Sequence, residues 1–112
     1  MNYIEYILGL CCLGGKEVLD SKELEAFLEY LFVQYRVAVG GWRSKLELLA
    51  RLGIIELKDG KIRIKEKELF HKLVKVAENS YIAKVDELYR ETLKRIKLAV
   101  QQFFKRAVVV QE

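Results

Sequence analysis

The chain has 112 residues, of which 52% are hydrophobic, and its formal net charge is +4. This length is typical of one domain, and the apolar content is enough to form a core without disulfides or metal ions. Residues 1–41 carry three basic and six acidic side chains, whereas residues 42–106 carry 17 basic and nine acidic ones. The basic excess therefore lies downstream of Gly41. It favours a surface that faces a polyanion, although an ordinary solvated lysine-rich face is the alternative.

Cys11 and Cys12 are adjacent in the sequence. Neighbouring residues on a helix project about 100° apart, so we expect two buried free thiols rather than a disulfide or a shared metal site. Such thiols fit a reducing intracellular compartment. The N-terminus has no signal-peptide pattern, and no apolar run approaches the roughly 20 residues that a membrane helix requires. The sequence therefore predicts a cytoplasmic protein that does not contact a membrane.

Two amphipathic helices are predicted in the first 35 residues. Apolar residues recur at helical spacing from Tyr3, and Gly14-Gly15 ends the pattern. Val18 and Leu19 can form a short strand. Asp20-Ser21-Lys22-Glu23 has the pattern of a capping box, so the second helix should start there and run to about Tyr35. Its predicted buried stripe consists of Leu24, Phe27, Leu28, Leu31, Phe32 and Tyr35.

A third helix is predicted from Trp42 to Leu52, after a turn at residues 36–41 that ends in two glycines. Gly53 is its expected C-terminal stop. The apolar positions of this helix include Leu46, Leu49 and Leu52.

A β-hairpin should follow, with strands at residues 54–58 and 61–65. Asp59-Gly60 between them favours a type I′ turn, because both central residues of that turn take positive φ. Alternation in the second strand gives it an apolar face and a cationic face. The apolar face holds Ile62 and Ile64, and the cationic face holds Lys61, Arg63 and Lys65.

A long apolar stripe runs from Tyr81 to about Ala107 at a spacing close to 3.6 residues. At 1.5 Å per residue it is about 38 Å long, which is more than a small domain is expected to cover. It therefore predicts a dimerisation helix. The alternatives are a helix packed on its own domain and an element that binds lipid or another partner. The stripe consists of Ile82, Val85, Tyr89, Leu93, Ile96, Val100 and Phe103.

The predicted order is helix, short strand, helix, turn, helix and hairpin. With Leu46-x-x-Leu49-x-x-x-Gly53-Ile54-Ile55 before a charged hairpin, it resembles the winged helix-turn-helix DNA-binding proteins common among archaeal, archaeal-virus and bacterial regulators. The resemblance covers residues 1–68. It implies a mainly α fold with a small antiparallel β-hairpin, and leaves residues 69–112 as a C-terminal helical extension. Because such regulators commonly pair through extra terminal helices, it also implies a homodimer.

The resemblance implies that helix 42–52 lies in the major groove of DNA, while hairpin 54–65 lies on the backbone or in the minor groove. Two residues remain open to a second interpretation. Glu47 either accepts a hydrogen bond from cytosine or is a solvated surface residue, and Trp42 either packs on the DNA backbone or anchors the core. The implied DNA-binding residues are Arg43, Ser44, Lys45, Glu47, Lys58, Lys61, Arg63 and Lys65.

Signals of catalysis are weak. The sequence has no glycine-rich phosphate loop, no paired-cysteine zinc spacing and no zinc-protease helix motif. His71 is the single histidine, and we expect it to be a partly exposed helix residue. We therefore expect no catalytic residue, no metal site, no cofactor and no small-molecule substrate.

The sequence thus predicts a homodimeric transcriptional regulator that binds double-stranded DNA sequence-specifically. The alternative is a winged-helix protein-interaction module of a larger assembly, without direct DNA readout. That alternative is motivated by the modest net charge and by a carboxylate at Glu47 on the supposed recognition face.

Overall fold

The computed structural model describes the backbone of residues 3–111 and the side chains of residues 3–104. The predicted class, mainly α with a small antiparallel sheet, is confirmed. The described residues form, in order, α1 (Tyr3–Leu13), β1 (Val18–Asp20), α2 (Ser21–Tyr35), α3 (Trp42–Arg51), β2 (Ile55–Lys58), β3 (Lys61–Ile64), α4 (Lys67–Asn79), α5 (Tyr81–Val85) and α6 (Glu87–Gln111).

The three strands form one antiparallel sheet in the order β1-β3-β2. The predicted hairpin turn is confirmed, because Asp59 and Gly60 have φ values of +54° and +73°. The predicted alternation is confirmed as well: Ile62 and Ile64 are buried, whereas Lys61 and Arg63 are exposed. β1 adds a third strand on the free edge of β3, with Leu19 paired to Ile62.

The start of α2 was predicted correctly, but one residue of its buried stripe was not. The Asp20 carboxylate accepts a hydrogen bond from the Lys22 backbone N–H at 2.9 Å and so caps the helix. Glu23, predicted to reach back to the cap, instead lies 3.4 Å from the Lys16 ammonium. Phe32 is 53% exposed, because it lies at the outer edge of the stripe whose buried residues include Phe27.

Helix α1 lies at the centre of the core. Ile4, Ile7 and Leu8 are fully buried. At Gly9 a Cβ atom would lie 2.5 Å from Val74 Cγ2 and 3.0 Å from the Phe70 carbonyl oxygen. Glycine therefore allows α4 to approach α1 at a distance that a larger residue would prevent. Both predicted units, 1–68 and 69–112, contribute described residues to this one core, which runs from Ile4 to Phe104 along the chain.

The predicted C-terminal stripe is preceded by one N-cap and interrupted by a second. The Ser80 hydroxyl accepts from the Ala83 backbone N–H at 3.2 Å and caps α5. The Asp86 carboxylate then accepts from the Tyr89 backbone N–H at 3.1 Å and caps α6. Two N-caps within seven residues break the chain into separate helices, although the apolar spacing continues through them.

Most of the predicted dimerisation stripe lies in the core of its own chain, which corrects that assignment. Leu93, Ile96 and Val100 are 4%, 0% and 7% exposed, and Phe103 packs edge-to-face against Phe27 with ring centroids 5.4 Å apart. Side chains buried in one chain are not available to a second one. Helix α6 therefore packs on its own domain, which was the alternative arrangement.

The ends of the stripe differ from its middle. Tyr89 is half-buried and lies 6.3 Å from the Tyr3 ring, whereas Ile82 and Val85 are 55% and 63% exposed. Ala107 lies outside the residues whose side chains are described. Only Ile82 and Val85 thus retain the exposure that a contact with a second chain requires.

Candidate nucleic-acid interface

Helix α3 rests on the core through Leu46 and Leu49, which are 6% and 4% exposed. Gly41 precedes it with φ +67°, and Gly53 follows with φ +75°. Both values lie in the left-handed region, which glycine adopts at little cost. Leu52, predicted to belong to the apolar side, is 64% exposed because it follows the last full turn of the helix.

The solvent face of α3 is mostly polar and includes one cation that the sequence analysis missed. Arg43, Ser44 and Glu47 are exposed, as the resemblance implied, and Arg51 continues the same row at a spacing of four residues. Such residues stack on one side of a helix. The i, i+4, i+8 spacing of Arg43, Glu47 and Arg51 was the signal that could have identified Arg51.

Lys45 does not belong to this solvent face. Its ammonium lies 3.0 Å from Glu5 Oε1, and the two side chains are only 28% and 12% exposed. Lys45 therefore lies on the flank of α3 that faces α1, where its charge joins two helices. The ammonium is therefore partly buried against a carboxylate and is less accessible to DNA than the exposed residues of the predicted set.

Arg43 is exposed but already has two partners. Its guanidinium carbon lies 4.3 Å from the Trp42 ring centroid, and Nη2 lies 2.8 Å from Glu25 Oε1. Trp42 itself is half-buried and packs against the core. The tryptophan thus acts as a core anchor whose remaining face orients Arg43.

The hairpin presents its cations on the outer face of the sheet. Lys58 and Lys61 are directly opposite each other beside the turn, and Arg63 lies opposite Glu56. The Arg63 Nε is 3.7 Å from Glu56 Oε1. Lys65 follows the end of β3 and is exposed. Of these cations, only Arg63 has a carboxylate partner among the described residues.

Two carboxylates share this face with the cations. Asp20 of β1 pairs with Lys61 in the sheet register, and Glu56 of β2 pairs with Arg63. The cationic face predicted from β3 alone is therefore diluted by both neighbouring strands. Such dilution lowers the electrostatic attraction for a polyanion without removing it.

Helix α3 and the hairpin enclose an open groove of about 320 Å³. It brings together four of the predicted residues, two from each element. Arg63 borders a second depression on the outer sheet face, and Lys45 faces α1, so the eight predicted residues do not form one continuous site. The lining of the groove consists of Ser21, Trp42, Arg43, Leu46, Glu47, Leu57, Lys58, Asp59, Gly60 and Lys61.

The histidine and the two cysteines do not line this groove. His71 is half-buried, and its Nε2 lies 3.6 Å from the Cys12 sulfur. Burial raises the pKa of both thiols, that of Cys11 to about 12, so they are protonated at neutral pH and poor nucleophiles. Within residues 3–104, no group of three or more His, Cys, Asp and Glu side chains is arranged to hold a metal ion.

Comparisons with known proteins returned no match among family models, curated proteins or solved structures. None of the helices in the described part is long and apolar enough to cross a membrane.

Proposed function

We propose that the chain is a winged helix-turn-helix protein that binds double-stranded DNA sequence-specifically. In this proposal α3 enters the major groove and the β2–β3 hairpin contacts the backbone or the minor groove. The supporting observation is the groove in which Arg43 and Glu47 of α3 face Lys58 and Lys61 of the hairpin. The order of elements and the additional β1 strand are those that a winged helix requires.

The two elements would make different contributions to binding. Arg43 and Arg51 on the exposed face of α3 are of the type that binds guanine O6 and N7 bidentately, and Glu47 can accept from cytosine N4. Lys58 and Lys61 have no carboxylate partner among the described residues, so they are free to replace counterions on phosphates. Each such contact would change the slope of log affinity against log salt concentration by about −0.9.

Carboxylates near the cations bear on the expected strength of binding. Glu25 holds Arg43 at 2.8 Å, and Glu56 lies 3.7 Å from Arg63. Both pairs are solvent-exposed, and an exposed ion pair contributes no more than about 1 kcal/mol. A phosphate can therefore displace either carboxylate, and we expect affinity to be moderate and steeply dependent on salt.

The experiment compares two double charge reversals in the full chain. Lys61→Glu with Arg63→Glu should abolish the gel shift of duplex DNA. Lys72→Glu with Lys75→Glu makes the same change in net charge at exposed positions of α4 and should leave most of the binding. Unchanged binding by a folded hairpin variant would refute the proposal. If the hairpin variant unfolds, Lys61→Gln with Arg63→Gln provides the same comparison.

Under this proposal the protein is a transcriptional regulator that acts as a homodimer on a palindromic site. The alternative function is a protein-interaction module of the same fold. It is favoured by the apolar groove residues Leu57 and Trp42, and by Leu48, which is 41% exposed on α3. A module of this kind should bind random duplex DNA weakly, with no steep salt dependence.

A further inference from the structure

The largest concentration of exposed apolar side chains lies where α5 meets α6, and we call it the α5–α6 corner. It consists of Tyr81, Ile82, Val85 and Leu88, which are 74%, 55%, 63% and 74% exposed. The four fall within eight consecutive residues. No stretch of eight described residues outside the corner contains more than two such side chains. Exposed apolar side chains clustered in this way are typical of an interaction site.

The fold does not require apolar residues at these positions. Ala83 is the only residue of α5 that is buried, so the apolar side chains around it add almost nothing to the core. Polar residues would serve the monomer equally well and would cost less in water. Burial against another molecule accounts for their composition, since covering large apolar side chains removes them from water.

The corner is held in a fixed shape by hydrogen bonds to the backbone. Ser80 and Asp86 cap the two helices. The Arg90 guanidinium donates from Nη1 to the carbonyl oxygens of Ala83 and Lys84, each at 3.0 Å, and so satisfies the C-terminal end of α5. A short helix fixed at both ends presents its apolar side chains with little ordering still to occur on binding.

The charges around the corner indicate which kind of partner binds it. Lys84, Glu87 and Glu91 are exposed beside the apolar residues, so both signs are present. A DNA backbone or an anionic membrane would favour a rim of cations alone. A two-fold axis brings each patch against its own copy, and a rim that carries both signs is then complementary to itself.

We infer that the α5–α6 corner is the interface through which two copies of this chain associate. The interface excludes the middle of α6, where Leu93 and Ile96 are buried in the chain's own core. Association through the corner does not depend on DNA binding, because the corner shares no residue with α3 or the hairpin.

Analytical ultracentrifugation of the full chain without DNA tests this inference. The wild-type chain of 13.1 kDa should sediment at twice that mass at high concentration. Val85→Asp should weaken association by about tenfold or more, because it buries an unpaired charge at the interface. At a concentration where both chains are monomeric, its melting temperature should be unchanged, since Val85 is 63% exposed in one chain.

Val33→Asp is the matched control. Val33 is 51% exposed on α2. Helix α2 packs against α6 near Phe103, and Phe103 lies about 22 Å from Leu88 along α6 at 1.5 Å per residue. The Val33→Asp substitution should therefore not change the dissociation constant of the dimer. A wild-type chain that remains monomeric overturns the inference, and so does an equal effect of the two variants. Monomers that bind phosphatidylcholine vesicles would assign the corner to a membrane surface instead.

Discussion

The surface formed by α3 and the hairpin differs from the α5–α6 corner in what it exposes to solvent. The first exposes charged side chains over a well-buried base, with Leu46 and Ile62 beneath it. The second exposes large apolar side chains over a single buried alanine, Ala83. A charged surface remains soluble without a partner and attracts ions, whereas an apolar one is costly until it is covered. The two surfaces therefore suit two kinds of partner, a polyanion and a second protein chain.

The largest expected effect tests whether α6 belongs to the core or to an interface. Ile96 is fully buried, so Ile96→Ala should lower the free energy of unfolding by about 2–5 kcal/mol. Val85→Ala, at an exposed position, should change it by less than about 0.5 kcal/mol when the chain is monomeric. Urea denaturation at low protein concentration measures both. If Ile96→Ala changed only the association state, the assignment of the middle of α6 to the core would be wrong.

Alkaline pH should destabilise the folded chain and so weaken both surfaces together, because both rest on the core around α1. Burial raises the pKa of the Cys11 thiol from 9.0 to about 12. Above pH 9 the unfolded chain therefore loses a proton that the folded chain retains, and stability falls with increasing pH. The expected loss is at most about 1.4 kcal/mol per pH unit from this group.

Denaturation of the wild-type chain at pH 8, 9 and 10 measures this loss, and Cys11→Ala is the control because it removes the thiol. Burial also raises the pKa of Tyr6, helped by its hydrogen bond to Glu78. Its contribution has the same sign and begins near pH 10. Stability that is constant between pH 8 and 10 would contradict the burial of the Cys11 thiol.

A smaller effect is expected at the residue of α3 that only the structure identified. Arg51→Gln should reduce the magnitude of the salt slope for duplex DNA by about 0.9, if this guanidinium contacts one phosphate. Should it read a guanine instead, the variant would lose preference at one base pair with little change in slope. No change in either property would remove Arg51 from the interface.

The smallest effect on DNA binding is expected at Lys45. Because its ammonium pairs with Glu5 at 3.0 Å, Lys45→Gln should leave the salt slope unchanged. It should lower the free energy of unfolding by about 1 kcal/mol or more, because the Glu5 side chain, which is only 12% exposed, loses its charged partner. A clear loss of DNA affinity in this variant would return Lys45 to the candidate surface.

Local signals were sufficient to predict most of the fold. Asp59-Gly60 predicted the turn, Asp20 predicted the start of α2, and Gly53 predicted the end of α3, because each depends on backbone conformation within a few residues. Long-range partners were not predictable in this way. Glu5 lies 40 residues before Lys45 in the sequence, and no local pattern indicates that their side chains meet.

The C-terminal stripe shows the same limit. Helical periodicity identifies an apolar face but does not distinguish a face that packs on its own domain from one that meets another chain. In the structure Asp86 caps α6 and divides the stripe into a short exposed part and a longer part. Leu93 and Ile96 lie beyond this division in the core, whereas Ile82 and Val85 remain exposed.

The measurement that tests the central claim most directly is the affinity of the wild-type chain for random-sequence duplex DNA over a series of salt concentrations, measured by fluorescence anisotropy. If α3 and the hairpin bind DNA through four or five of their exposed cations, log affinity should fall linearly with log salt concentration, with a slope of roughly −3 to −5. Undetectable binding at low salt, or a slope near zero, would contradict the DNA-binding function.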